Sequence, residues 1–230
     1  MALTAEKTLL VASAGRPTNA AIAAAASLLD PRLPAVELRL DALGEKPDFP
    51  ALRRAFAGRT LLATLRSRTE GGRFDGTASE AAEVLGAALD AGFDLVDVEL
   101  ALGGIGLLGL PREKVVVSSH DFDRTPPAAR LRQIVKKGRA GGAHIVKMAC
   151  RVRNQKDLLP LFEALREVEA GPLCVIGMGE AGLITRIALP CAGSCLAYGF
   201  LDEAAAPGQL SCRELKALLR RFLPASRIAN

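Results

Sequence analysis

Apolar residues gather in eight short runs along the chain, at 8–13, 35–42, 60–66, 94–100, 114–122, 143–149, 172–178 and 194–200. Each run is rich in Val, Ile or Leu and too short for a helix, which predicts strands. Between them, residues 19–29, 78–92 and 156–170 repeat their apolar positions every three or four residues, the period of an amphipathic helix. Strand and helix alternate from end to end, so parallel strands joined by helical crossovers are expected. Eight strands with seven or eight helices predict a (β/α)8 TIM barrel, with residues 1–230 as a single domain. An open doubly wound sheet is the alternative.

The polar positions inside the runs are less ordinary. In a barrel, alternate strand residues face the interior, and the functional groups stand at the C-terminal strand ends. Glu37, Arg39 and Asp41 share one face of the second run, while Val36, Leu38 and Leu40 share the other. Thr64 and Arg66 share a face of the third, followed by Glu70 and a double glycine. Asp97 pairs with Glu99, Ser118 pairs with His120, and Lys147 ends the sixth strand as predicted. Buried charges need partners, so five consecutive strands carrying ionisable groups to one end imply a site. His144 has the opposite parity to Lys147 and is assigned to structure.

The seventh run breaks into Gly177, Gly179 and Gly182, the spacing G-x-G-x-x-G, with Asp202 following at the distance of a ribose-binding acid. That fingerprint normally opens its domain on a first strand. Here it falls on the seventh of eight, which argues against a dinucleotide.

Composition narrows the classes further. A net charge of +5 is spread along the chain and aromatics make up 4%, so nothing resembles a nucleic-acid groove; a small anionic ligand fits better. No apolar run reaches the roughly 20 residues that span a bilayer. The first residues lack the charged region and cleavage site of a leader, and the chain reads as cytoplasmic. Five cysteines, Cys150, Cys174, Cys191, Cys195 and Cys212, are an odd number for a disulfide framework and are expected to be buried free thiols. With two histidines in the chain, a zinc site lacks ligands.

Lys147 lies among Ile145, Val146, Met148 and Ala149, and several arginines are expected nearby. Desolvation and like-charge repulsion would then favour its neutral amine, which can attack a carbonyl and form an imine. A protonated imine acidifies the adjacent C–H. His120, one strand away, is the candidate base, and Glu70 is the nearest carboxylate to orient it. The residues alone therefore read as a Schiff-base lyase or aldolase acting on a small anionic ketone.

The segments ELRLD (37–41), TLRSRTEGG (64–72), DLVDVEL (94–100), SSHDFDRTP (118–126), HIVKMA (144–149), MGEAGLITR (178–186) and AAPGQLS (205–211) resemble those of type I 3-dehydroquinate dehydratases, in order and spacing. The resemblance implies a homodimeric barrel that converts 3-dehydroquinate to 3-dehydroshikimate in the shikimate pathway, without metal or cofactor. It implies that Lys147 forms the Schiff base at the C3 ketone. His120 would move the C2 proton and protonate the departing C1 hydroxyl, and Glu70 would orient His120. Glu37, Arg39 and Arg66 would hold ring hydroxyls, Arg186 and Gln209 the carboxylate end, and Met178 and Tyr198 the apolar face of the ring.

Three departures accompany the resemblance. Ala205 and Ala12 stand where the family has serines, with Ser13 one position along, and the N-terminal hairpin that often closes the barrel floor is absent or very short. Each missing hydroxyl removes about 0.5–1.5 kcal/mol at most, so a raised KM is expected with the chemistry intact. The alternatives are another class I aldolase-type barrel acting on a phosphorylated sugar, a non-catalytic barrel of the same family, or one domain of a larger fusion.

Overall fold

The computed structural model describes residues 7–103, 109–167, 171–201 and 209–229. The strands are β1 (Leu9–Ala14), β2 (Ala35–Arg39), β3 (Thr60–Thr64), β4 (Leu95–Glu99), β5 (Val115–Asp121), β6 (Ile145–Arg151), β7 (Leu173–Met178) and β8 (Leu196–Phe200). The helices are α1 (Asn19–Ala25), α2 (Phe49–Ala55), α3 (Ala78–Asp90), α4 (Ala128–Ala140), α5 (Leu158–Glu167), α6 (Thr185–Ala192) and α7 (Cys212–Phe222). All the ladders are parallel, in the order β7-β6-β5-β4-β3-β2-β1-β8, which is the expected barrel rather than the open sheet. Strands β7 and β8 complete the circle without a ladder. Cys195 N donates to Leu173 O at 2.9 Å, and Val175 N donates to the buried Ser194 hydroxyl at 3.0 Å.

Strand alternation divides the apolar residues into two cores. Leu9, Val11, Ala35, Leu62, Leu95, Val116, Ile145 and Cys174 fill the barrel, whereas Leu10, Val36, Leu38, Leu61, Val96, Val117 and Val146 pack under the helices. Removing either set from water contributes about 1.5–3 kcal/mol per large side chain, so the register is strongly specified. The lower barrel is apolar, and the ionisable groups stand above it on the same inward parity. The floor is met by the C-terminal segment: Thr8 N donates to Arg227 O at 2.8 Å, Ala229 N donates to Thr8 O at 2.9 Å, and Ala229 joins the inner core.

Two strand boundaries move for local reasons. The second run was expected to stay extended to 42, but β2 stops at Arg39 and Leu40–Ala42 turn in a short 3-10 helix. The turn lets Asp41 fold back onto Arg39. The sixth strand was expected to end near Lys147, yet β6 continues to Arg151, still paired with β7. Lys147 therefore enters the barrel from its middle and not from its rim.

Candidate active site

The strand ends surround a cavity of about 120 Å³ lined by Glu37, Arg39, Arg66, Glu70, His120, Lys147, Met178, Arg186, Tyr198 and Gln209, with Ser13, Gly71, Phe122, Ala149 and Ile176. The fold thus brings together every site residue expected from the sequence. Of the two departures placed on alanines, Ala205 lies outside the described residues, as does Asp202. Ala12 is fully buried in the helix-facing core, and Ser13 holds the inward parity. The expected loss of a hydroxyl at Ala12 is corrected: Ser13 Oγ donates to Glu37 Oε2 at 2.6 Å in the pocket.

Lys147 is 4% exposed at the base of this cavity. The expected arginines line the same cavity, but the atoms nearest the amine are carboxylate oxygens, with Nζ 3.0 Å from Asp97 Oδ2 and 3.6 Å from Glu37 Oε1. Strand parity places these carboxylates there, because Glu37 and Asp97 point inward from β2 and β4, and Arg66 binds the other oxygen of Asp97. The amine also lies 4.6 Å from the centroid of the Tyr198 ring, within reach of its negative face. Among the described residues the buried Tyr198 hydroxyl has no hydrogen-bond partner, and burial drives its pKa well above the usual phenol value.

Arg66 is the hub of the site. Its Nη2 donates to Asp97 Oδ1 at 2.9 Å, and its Nη1 reaches Glu99 Oε1 at 2.9 Å, Ser118 Oγ at 2.9 Å and Glu70 Oε2 at 3.4 Å. Burial disfavours the guanidinium, but the surrounding carboxylates more than offset it and raise its pKa. Burial would likewise raise Asp97, yet Arg66 and Lys147 hold it well below the usual carboxylate range. Arg39 is clamped by both oxygens of Asp41 at 2.8 and 2.7 Å, and Asp41 also accepts the Arg66 and Arg73 amides. These contacts tie the β3 turn to β2.

The turn after β3 delivers Glu70. Ser67 caps a 3-10 turn over Arg68–Glu70, and Gly71 ends it at φ 79°. A Cβ on Gly72 would lie 2.1 Å from the Arg66 carbonyl oxygen, so the double glycine lets the chain fold back across Arg66. Glu70 Oε2 then meets His120 Nδ1 at 2.7 Å. Burial, together with Arg66 and Lys147, pushes the imidazole well below its ordinary range, so the free ring is neutral. Burial and the charge of Glu99 push Glu70 up to about 8. The two titrate as a pair: in its proton-poor form Nδ1–H donates to the carboxylate and leaves Nε2 as a base. The Phe122 ring stacks on His120, with centroids 6.2 Å apart.

The G-x-G-x-x-G stretch makes a self-contained turn. A Cβ on Gly182 would stand 2.8 Å from the Gly177 backbone, Gly177 N donates to Thr185 Oγ1 at 3.0 Å, and Gly182 N donates to Gly179 O at 3.0 Å. The Gly177 and Gly182 amides are thus spent inside the turn. The tight turn instead starts α6 so that Arg186, 7% exposed, reaches the pocket. Among the described residues no carboxylate pairs with Arg186, its Nε lacks a hydrogen-bond partner, and burial pushes the guanidinium down to about 10. Such a buried cation favours an anionic ligand.

Cys150, Cys174, Cys195 and Cys212 are buried free thiols as expected, but Cys191 is partly exposed. His144 lies outside the pocket, just before β6. Sequence reasoning gave no role to Asp97, Ser118, Ser13 or Phe122. Inward parity was the signal for all four, since Phe122 stands two residues after His120. No helix among the described residues is long and apolar enough to cross a membrane.

Comparison with known proteins points to one family. The model of Type I 3-dehydroquinase matches residues 11–223. The chain is 35% identical over 189 residues to a 3-dehydroquinate dehydratase of Methanothrix thermoacetophila, covering 80% of both chains. It is 29% identical over 194 residues to one from Coxiella burnetii, covering 83% of both. Among solved structures, the 3-dehydroquinate dehydratase of Geobacillus kaustophilus superposes with a TM-score of 0.86 at 28% identity, covering 96% of this chain and 93% of that one. A type I enzyme from Clostridium difficile, solved with covalently modified comenic acid, gives 0.83 at 26% identity, covering 94% and 92%.

Proposed function

The chain belongs to the type I 3-dehydroquinase family, and from that membership we propose that it dehydrates 3-dehydroquinate to 3-dehydroshikimate through a Schiff base on Lys147. The single observation that carries the reading is the buried Lys147 amine at the base of a pocket that also holds the His120–Glu70 pair and the cation Arg186, which no carboxylate among the described residues pairs.

In this scheme Arg186 and Gln209 take the substrate carboxylate, while Glu37, Arg39 and Arg66 take ring hydroxyls. Met178 and Tyr198 pack on the ring. Lys147 Nζ attacks the C3 carbonyl, whose oxygen leaves as water, and a protonated imine forms. His120 Nε2 removes a C2 proton; the C–H electrons become the C2–C3 double bond, and the C–N π electrons return to nitrogen as a lone pair. The resulting enamine pushes out the C1 hydroxyl, which takes that proton from His120. This forms the C1–C2 double bond and restores the protonated imine. Water then releases the enone and regenerates Lys147. No metal or cofactor enters. The same reading includes a homodimer working in the cytoplasm on this small molecule.

The test is direct. Incubation with 3-dehydroquinate and borohydride is expected to leave a reduced adduct on Lys147 by mass spectrometry, and without borohydride the absorbance of a conjugated enone should grow. No adduct and no enone would put the non-catalytic barrel ahead.

The His120–Glu70 pair also sets the pH dependence. Protonating it removes the base, so kcat/KM should rise with pH until the extra proton is lost, with Glu70 at about 8 marking the upper end. In Glu70→Gln, His120 keeps its burial and its arginine and lysine neighbours but loses the anion. The acid limb should therefore move to lower pH while the maximal rate falls about 10–100-fold. A limb that stays in place in this variant would show that another group controls it.

A further inference from the structure

We propose that Asp97 is a catalytic residue, the counter-ion of the reacting nitrogen, and that it acts chiefly when the enamine expels the C1 hydroxyl. The inference rests on the Schiff-base reading above. Asp97 touches Nζ at 3.0 Å and its side chain is fully buried. Its other oxygen is fixed from two sides, by Ser118 Oγ at 2.5 Å and by Arg66 Nη2 at 2.9 Å. Glu37, the second carboxylate near the amine, is 3.6 Å away, and its oxygens accept from Ser13 and Thr64 at 2.6 and 3.0 Å. Glu37 also lines the cavity, where substrate hydroxyls can engage it, whereas Asp97 lies beneath the amine and outside the lining. Of the two, Asp97 is the one whose charge stays committed to the nitrogen throughout the cycle.

The consequence follows from where charge sits. The nitrogen is positive in the protonated imine and neutral in the enamine. A fixed carboxylate at 3.0 Å favours the positive forms. It therefore works against proton abstraction at C2, which discharges the nitrogen. It works for expulsion of the C1 hydroxyl, when the nitrogen lone pair re-forms the C–N π bond and positive charge returns. Asp97 exchanges no proton in either step. Preorganisation by Ser118 and Arg66 means that the anion need not reorient as the charge develops.

Asp97→Asn keeps the shape and the acceptor facing Ser118 and Arg66 but removes the charge. In D2O with 3-dehydroquinate, C2 hydrogen exchange is followed by NMR and enone formation by absorbance, for the wild type and the variant. Enone formation should fall about 100-fold in the variant. Exchange should fall less, so the ratio of exchange to enone should rise on the order of tenfold. Equal losses in both would mean that Asp97 merely places Lys147 or Arg66, and an unchanged enone rate would mean that it does nothing; either overturns the proposal. Ser118→Ala retains the carboxylate and serves if Asp97→Asn fails to fold. A smaller rise in the same ratio supports the inference, and a wild-type ratio overturns it. Borohydride trapping of the wild type in parallel separates the two readings: no adduct there defeats the Schiff base, whereas an adduct with an unshifted ratio defeats Asp97 alone.

Discussion

Replacing Lys147 by methionine is expected to abolish the borohydride adduct and to lower turnover by about 10⁴-fold or more, because no second lysine among the described residues lines the cavity to form the imine. The variant should still fold. Methionine replaces the apolar stem of lysine at nearly the same volume, so packing against the Tyr198 ring survives. The cost lies in the two carboxylates left behind. Asp97 retains Ser118 and Arg66, and Glu37 retains Ser13 and Thr64. Their remaining partners should keep the loss below the about 3–5 kcal/mol typical of breaking a buried ion pair. Circular dichroism and a thermal melt check the fold, and single-turnover absorbance checks the chemistry. A folded Lys147→Met protein that still produced enone at a tenth of the wild-type rate would remove Lys147 from the mechanism.

The largest loss of stability is expected from Arg66→Met. Arg66 is 4% exposed and binds Asp97, Glu99, Glu70 and Ser118, so its removal leaves three carboxylates in one dry cluster. Breaking such a network from one side costs about 3–5 kcal/mol, a large share of the 5–15 kcal/mol that holds a typical domain. At roughly 2–4 °C per kcal/mol for a chain of this size, the melting temperature should fall by about 6–20 °C. The pH sign is fixed by the cluster. Without the cation, mutual repulsion and burial raise the folded-state pKa values of the carboxylates. Stability is then fuller at low pH and is lost as pH rises through those raised values. The deficit of Arg66→Met should accordingly be smaller at pH 5 than at pH 8. A deficit that grew on acidification would mean that the cluster is not what Arg66 stabilises. Arg66→Lys should fall between the two, since one ammonium cannot reproduce the fork that reaches four acceptors.

The site was legible wherever inward parity and residue chemistry coincide. Glu37, Arg39, Arg66, His120 and Lys147 repeat the interior period of their strands, and the barrel then gathers them at one end. Ser13 obeys the same period, and Ala12 was set in its place by matching a motif one position off. Asp97 and Ser118 were visible as inward polar residues. Their task depends on which atoms meet across β3, β4, β5 and β6, and strand spacing alone does not give that. Phe122 shares the parity of His120 but lies one residue past β5, and only the turn after β5 sets its ring against the imidazole.

By itself, the sequence determined the number of strands, their parallel arrangement and the two-sided alternation that yields a barrel with an inner and an outer core. It also determined the set of ionisable residues held inside. These are short-range properties, since strand period and helix period are written in consecutive residues. Tertiary structure decided the rest: that carboxylates stand between Lys147 and the arginines around it, that β2 ends where Asp41 clasps Arg39, and that the glycine turn after β7 starts the helix that brings Arg186 to the pocket. Each of these depends on how far one strand is shifted along its neighbour and on which buried charge finds an opposite charge within about 3–4 Å. The energy of such a contact depends on both partners and on the water excluded around them.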